Sequence, residues 1–200
     1  MPLFLVRHGQ TDWNLAKRFQ STSDIPLNDT GRAQAKLIGG ELRQKRLLFS
    51  RVATSPLGRA QETAQIIVAG DDVETYVDPD LIELSLGDFE GQSEADLRAS
   101  MGEEFDAWRA SCFTQAAPNG ETIFDAIVRA ARALEALIAG QPTNNYLLVA
   151  HQGMNMAVMA LLSGRTDLKS LSDFKQANDQ VEVWDTVQGR RLERFSVSAG

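Results

Sequence analysis

Cysteine, histidine and positive charge are all scarce in this 200-residue chain. The one cysteine, Cys112, allows no internal disulfide and fits a reducing, cytoplasmic setting. With no histidine near it in sequence, Cys112 reads as a small, partly buried hydrophobe rather than a nucleophile. Lys and Arg number 20 against 27 Asp and Glu, a formal charge of −7, so neither nucleic acid nor an anionic membrane is expected as a partner. No apolar run approaches membrane-spanning length, and Met1-Pro2-Leu3 enters a strand without a charged leader, so no signal peptide is expected. The two histidines lie far apart and no Asp/Glu/His cluster has ligand spacing, so no metal site is expected. Repeats, linkers and low-complexity tracts are also missing. With 43% apolar and 24% charged residues, the chain is expected to form one domain over 1–200.

The histidines that are present occupy matching positions. Leu3-Phe4-Leu5-Val6 is an unbroken apolar run, the pattern of a strand buried on both faces, and it leads directly into Arg7-His8-Gly9. Tyr146-Leu147-Leu148-Val149-Ala150 leads in the same way into His151-Gln152-Gly153. In an open α/β sheet ligands bind beyond the carboxyl ends of strands, where both histidines would sit. Two further segments carry chemistry. Val52-Ala53-Thr54-Ser55-Pro56 reads as a short strand and a turn, before a helix with Arg59 in its first turns. Glu83 lies among apolar neighbours, in Leu81-Ile82-Glu83-Leu84, a setting that keeps a carboxyl proton available for donation. Asp88 and Glu90 are read as solvated.

In this order the segments resemble the histidine phosphatase superfamily, the group containing cofactor-dependent phosphoglycerate mutases and many small phosphatases. Arg7-His8-Gly9 resembles its Arg-His-Gly signature and Trp13-Asn14 its Trp-Asn. Ser55-Pro56-Leu57-Gly58-Arg59-Ala60 with Thr63 is similar to its second arginine motif, Glu83 with Gly87 to its proton-donor loop, and His151 to its second histidine. Pro118-Asn119-Gly120-Glu121-Thr122 is similar to its Pro-x-Gly-Glu-Ser turn. Two positions depart from the pattern: Gln152 precedes the glycine after His151, and Ser21 stands where glycine is common. The resemblance implies His8 as the nucleophile that becomes phosphorylated, with Arg7, Arg59, Glu83 and His151 completing the catalytic set. Substrate contacts are expected from Arg7, Asn14, Gln20, Arg59, His151 and Gln152.

Phosphoryl transfer asks a protein chiefly for positioning and for stabilisation of spreading negative charge. Two arginine forks can grip phosphate oxygens, and His8 can attack in line if a carbonyl holds one of its ring nitrogens. A protonated His151 would add a donor to the bound anion and Asn14 a neutral one; Glu83 would serve as acid and then as base. The expected function is a metal-independent, cofactor-free phosphomonoester hydrolase acting on a small molecule, as a monomer or homodimer. The alternative is a mutase-type phosphotransferase. The resemblance implies that mutases carry additional covering segments and a tail, for which 200 residues are too few. A non-catalytic phosphoryl-binding protein would have no need of His8 and Glu83 together.

The expected fold is a three-layer α/β/α sandwich with a mostly parallel central sheet and antiparallel strands at its margin, phosphoglycerate mutase-like. After an irregular stretch over 12–28, a helix is predicted from Thr30 to Leu48 with Ala33, Leu37, Ile38 and Leu42 on its apolar face. Strands follow near 50–54 and at Val73–Val77. Residues 85–120 are weakly periodic, with short helices predicted near 93–101 and 103–111, and are well placed to act as a lid or a specificity insertion. A strongly amphipathic helix is predicted over Glu121–Ala139, with Phe124, Ile127, Val128, Ala131, Leu134, Leu137 and Ile138 as its core face. A helix from Met154 to Leu162 follows the His151 strand. Val181–Trp184 and Leu192–Val197 form a closing hairpin about Gln188-Gly189.

Overall fold

Four apolar runs with the strand signature and two alternating ones pair into a single sheet. The computed structural model describes residues 1–139 and 145–197. The strands are β1 (Pro2–Arg7), β2 (Phe49–Thr54), β3 (Glu74–Val77), β4 (Asn145–Ala150), β5 (Gln180–Asp185) and β6 (Arg190–Ser196), in spatial order β3-β2-β4-β1-β5-β6. β1 to β4 run parallel, while β5 and β6 run antiparallel at one margin. The helices are α1 (Asp12–Leu15), α2 (Asp29–Gln44), α3 (Gly58–Ile67), α4 (Glu94–Met101), α5 (Glu103–Ala110), α6 (Ile123–Ile138), α7 (Gln152–Ser163) and α8 (Leu168–Asp173).

Side-chain alternation along β1 shows why the sheet needs cover on both faces. Leu3 and Leu5 join Leu148, α6, α7 and the 85–120 region in one core; Phe4 and Val6 join α2 and α3 in the other. Three layers result, as the apolar runs require. Register then fixes the site: Val6 pairs with Val149, Arg7 with Ala150, and Thr54 with Val149. The residues just after β1, β4 and β2 therefore emerge side by side.

Several boundaries and faces differ from expectation. α2 starts on an Asn28 side chain that accepts from the Gly31 N–H, and it stops at Gln44 rather than Leu48, because Arg46 takes a left-handed backbone (φ 54°). Its buried stripe is Gly31, Ala35, Ile38, Gly39 and Leu42, while Ala33 and Leu37 face solvent. On α6 the inner stripe runs through Ile123, Ala126, Ala130, Ala133, Leu134 and Leu137. Phe124 and Val128, expected in the core, are 47% and 60% exposed. The small alanines let α7 approach closely, and the larger side chains fall on the far side. α7 begins at Gln152, two residues earlier than predicted, and α8 was not foreseen because six residues are too short for a periodic signal. Met154, Met156, Met159 and Cys112 are buried, as expected.

The 85–120 region is docked rather than loose. Phe19, Phe89, Phe105, Trp108 and Phe113 form a cluster of mostly edge-to-face pairs with ring centroids 4.9 to 6.3 Å apart. Backbone bonds from Gly91 N–H to the Phe19 carbonyl, from Phe19 N–H to Gln92, and from Glu94 N–H to Lys17 tie it to the loop after α1. Gly87 turns with φ 48°, and a Cβ there would lie 2.0 Å from the Pro118 carbonyl oxygen, so only glycine closes this loop. Among the described residues no helix is long and apolar enough to cross a membrane. Phe105→Ala should empty the centre of the aromatic cluster and cost about 3–5 kcal/mol. Urea unfolding measures it, and a loss below about 1 kcal/mol would show that the cluster does not anchor the segment.

Candidate active site

The end of β1 is pinned before any ligand arrives. The His8 N–H donates to the Ala150 carbonyl at 2.9 Å, extending the β1–β4 ladder, and the His8 carbonyl accepts from Asn178 Nδ2 at 2.7 Å. Gly9 N–H reaches Thr63 Oγ1 at 3.0 Å, and Thr63 Oγ1 in turn donates to the Arg59 carbonyl, so β1 and α3 are joined directly behind the site. A Cβ on Gly9 would lie 2.4 Å from the Gly31 carbonyl oxygen. That contact, rather than access for a ligand, accounts for the glycine.

His8 is buried, and its Nδ1 lies 2.8 Å from the Gly9 carbonyl oxygen, an acceptor only. Nδ1 therefore carries the hydrogen, and Nε2 is left with its lone pair. Burial holds His8 well below the usual imidazole range, the nearby Arg59 and Arg7 push it further, and the Gly9 bond opposes them. His151 lies with its ring centroid 5.2 Å from that of His8, and its Nε2 is 2.7 Å from Ser55 Oγ. Ser55 Oγ also accepts from Leu57 N–H, so the turn after β2 holds His151 through this hydroxyl. Burial, then Arg59, His8 and Arg7, also hold His151 well below the imidazole range. The sequence reading expected a protonated His151 beside bound anion. Burial and the neighbouring Arg59, His8 and Arg7 disfavour that charge.

Both arginines are held by carbonyls on one edge. Arg7 Nη1 donates to Gln152 Oε1 at 2.8 Å and to the Gln176 carbonyl at 3.0 Å; its Nε is buried without a partner. Arg59, 1% exposed, donates from Nη1 to the Ser23 carbonyl at 2.6 Å and from Nη2 to the Ser21 carbonyl at 2.9 Å; its Nε likewise has none. Burial lowers Arg7 to about 10, with Glu83 opposing and Arg59 and Arg109 adding to the effect. Arg59 is lowered too, chiefly by burial, against the attraction of Glu83, Asp24 and Glu90. Both remain cations near neutral pH.

Glu83 is placed differently from expectation. Its carboxylate accepts from Leu84 N–H at 2.9 Å, Gly153 N–H at 3.2 Å and Met154 N–H at 3.0 Å, so it sits on the N-terminus of α7 rather than in an apolar nest. A Cβ on Gly153 would lie 2.8 Å from Glu83 Oε1. Placing the glycine one position later than usual thus admits Glu83, while Gln152 takes up Arg7. The Pro118–Thr122 turn supports the same loop: Glu121 accepts from Ser85 N–H and pairs with Arg129, which donates to the carbonyls of Asp80 and Ile82.

The cavity beside His8 is lined by Arg7, Arg59, Glu83, Asn14, Gln20 and Gln152, which brings together the expected contact residues except His151, whose ring packs against that of His8. Asn14 is oriented by a reciprocal cap with Thr11, and Gln20 Oε1 is buried without a partner. Further out stand Phe19, Leu86, Phe113, Lys17, Arg18 and an Arg109–Glu94 ion pair. Ser21 has a left-handed backbone (φ 48°), which explains why glycine is common there. Its hydroxyl compensates by bonding Leu84 O and Leu86 N–H, tying the loop to the Glu83 segment. Sequence reasoning missed Gln176 and Asn178. Gln176 is buried and bonds Asn155, Leu5 O and Gln180 O as well as Arg7, but an aperiodic stretch before β5 gives no signal of this. It likewise misjudged Glu90, which bonds Ser23 and Thr22, whereas Asp88 is exposed as expected and bonds Asn119 at the surface.

A three-layer α/β fold with two histidines and Arg7 at adjoining strand ends, and the buried Arg59 of α3 beside them, defines a phosphoryl-handling site. The sequence matches the histidine phosphatase superfamily (branch 1) over residues 3–196, and the chain belongs to that family. It is 35% identical over 162 residues to adenosylcobalamin/alpha-ribazole phosphatase of Salmonella typhimurium, covering 81% of this chain and 79% of that one. It is also 35% identical over 167 residues to a probable phosphoglycerate mutase of Cronobacter sakazakii, covering 82% and 74%. Among solved structures, a mycobacterial glucosyl-3-phosphoglycerate phosphatase complexed with VO3 superposes with a TM-score of 0.83 at 29% identity, covering 91% of each chain.

The two histidines make stability sensitive to pH. Folded imidazoles held below their ordinary range stay neutral on acidification, while those of the unfolded chain take up protons below about pH 6.5. The unfolded state then binds more protons, so stability falls as pH drops, by up to about 1.4 kcal/mol per pH unit for each histidine. Urea unfolding between pH 7.5 and 5.5 should show this slope, and His151→Asn should reduce it. A flat profile would contradict the assignment of both rings as neutral.

Proposed function

We propose that the chain is a metal-independent phosphomonoester hydrolase that works through a phosphohistidine on His8. The observation that carries this reading is the pair of buried guanidinium nitrogens left without partners, Nε of Arg7 and Nε of Arg59. Each is a donor whose other side is already fixed, and burying unpaired donors is costly unless something partners them. A phosphoryl group is the tetrahedral anion that would do so.

In the first step Nε2 of His8 attacks phosphorus. The P–N bond forms as the P–O bond to the leaving group breaks, and Glu83 acts as the general acid that passes a proton to the departing oxygen. In the second step water attacks phosphorus, the P–N bond breaks, and the water proton passes to Glu83. Inorganic phosphate leaves, and both side chains regain their starting states. Arg7 and Arg59 hold the equatorial oxygens throughout. Asn14, Gln20 and Gln152 complete the binding set, Gln152 by orienting Arg7.

We read the chain as one domain in which residues 85–120 form the wall that selects the leaving group, through Leu86, Glu94, Arg109 and Phe113. The substrate is a small phosphomonoester, the acidic surface disfavours nucleic acid, and the single buried cysteine favours a cytoplasmic setting. A mutase must retain a second phosphoryl group. Against that reading, Arg109 in the outer wall is already paired with Glu94, and Arg18 donates to the Gly91 carbonyl and packs on Trp13.

The test is hydrolysis of p-nitrophenyl phosphate in the presence of chelator. Turnover should persist, and His8→Ala should abolish it together with the acid-labile phosphoenzyme. Glu83→Gln should slow hydrolysis of an alkyl phosphate about 10²- to 10⁴-fold while leaving a burst of one p-nitrophenolate per site. Folded wild-type protein that neither turns over nor forms an adduct would overturn the reading.

A further inference from the structure

Arg59 owes its orientation to two loop carbonyls, and those carbonyls need an anchor of their own. The loop Gln20-Ser21-Thr22-Ser23-Asp24 presents the Ser21 and Ser23 carbonyls to Arg59 while passing through a left-handed residue, with Thr22 exposed. One end is secured by the Ser21 hydroxyl on Leu84 and Leu86, the other by Asp24, which accepts from Gly58 N–H at the start of α3. Between them, Glu90 reaches over from the opposite side. Its carboxylate accepts from the Ser23 hydroxyl, from the Thr22 hydroxyl at 3.1 Å and from Thr22 N–H at 3.4 Å. Glu90 is itself fixed by backbone bonds on each side, Glu90 N–H to Gly87 and Gly91 N–H to Phe19.

We propose that Glu90 is a positioning residue for Arg59: by clamping Thr22 and Ser23 it holds the two carbonyls that keep the Nε edge of Arg59 aimed at the phosphoryl site. Its negative charge also lies close enough to act on the Arg59 guanidinium. Burial opposes that charge, but the bonds from Ser23 and Thr22 outweigh it and keep the carboxylate ionised. The inference rests on the phosphatase reading only in taking phosphate as the ligand. A guanidinium that swings by an ångström loses its fork on an anion while remaining charged and nearby.

The test uses the full chain, inorganic phosphate as the calorimetric probe and p-nitrophenyl phosphate for turnover. Glu90→Ala should weaken phosphate binding about tenfold and lower kcat/KM about 100-fold. Glu90→Gln, which keeps an acceptor for the Ser23 hydroxyl, should recover part of both, and Ser23→Ala should mimic Glu90→Ala in milder form. The deciding comparison is with Arg59→Lys, which keeps a charge but has no fork to orient: there Glu90→Ala should change either quantity less than about twofold. Equal losses in both backgrounds, or a folded Glu90→Ala with wild-type affinity, would overturn the proposal. Should Glu90→Ala fail to fold, Glu90→Gln and Ser23→Ala make the same comparison. Wild-type protein that binds no phosphate and hydrolyses nothing would instead sink the phosphatase reading, and this inference with it.

Discussion

The parallel pairing of β1 with β4 is the constraint from which the rest of the site follows. Once Arg7 lies opposite Ala150, the His8 N–H falls on the Ala150 carbonyl, and the two histidines come within ring contact. β2 on the other side of β4 brings Ser55 onto His151 by the same ladder, through Ser55 N–H and the Val149 carbonyl. A one-residue slip would turn every core side chain of β1 to the other face and carry His8 away with it. The cores that fix the fold therefore also fix the chemistry.

The second governing fact is electrostatic. Arg7 and Arg59 are held close together and out of water, and each lowers the proton affinity of the histidines. Charges so placed need partners, and the protein supplies them only on one side: carbonyls of Gln176, Ser21 and Ser23 and the Gln152 amide. The other edges stay unfilled. Donors fixed in advance need no reorganisation when charge develops on the phosphoryl group, which is where such sites gain most of their effect. Keeping His8 neutral serves the same end, since a protonated ring could not attack.

Much of this was legible in the sequence because it lies in short contiguous runs. The Leu3–Val6 and Tyr146–Ala150 runs gave both the buried strands and the histidines that follow them, and the order of the arginine and glutamate segments gave the site. What escaped was the tertiary scaffold of single polar residues. Gln176, Asn178 and Glu90 act across large sequence separations, and nothing in their neighbours distinguishes them from solvated side chains. Helix faces were misjudged where alanine and glycine make the contact, as on α2 and α6, because close approach rewards small residues while apolar periodicity counts large ones. The setting of Glu83 was misread for a related reason, since the N–H groups of Gly153 and Met154 that reach its carboxylate lie far away in sequence.

The central claim is that His8 presents Nε2, and only Nε2, to a phosphoryl group held by donors already in place. The most direct measurement is NMR of the trapped phosphoenzyme with ¹⁵N-labelled histidine, reading which ring nitrogen is coupled to ³¹P. Coupling to Nε2 of His8 alone, with Nδ1 still protonated against Gly9, is the predicted result. Phosphorus on Nδ1, or on His151, would contradict the account.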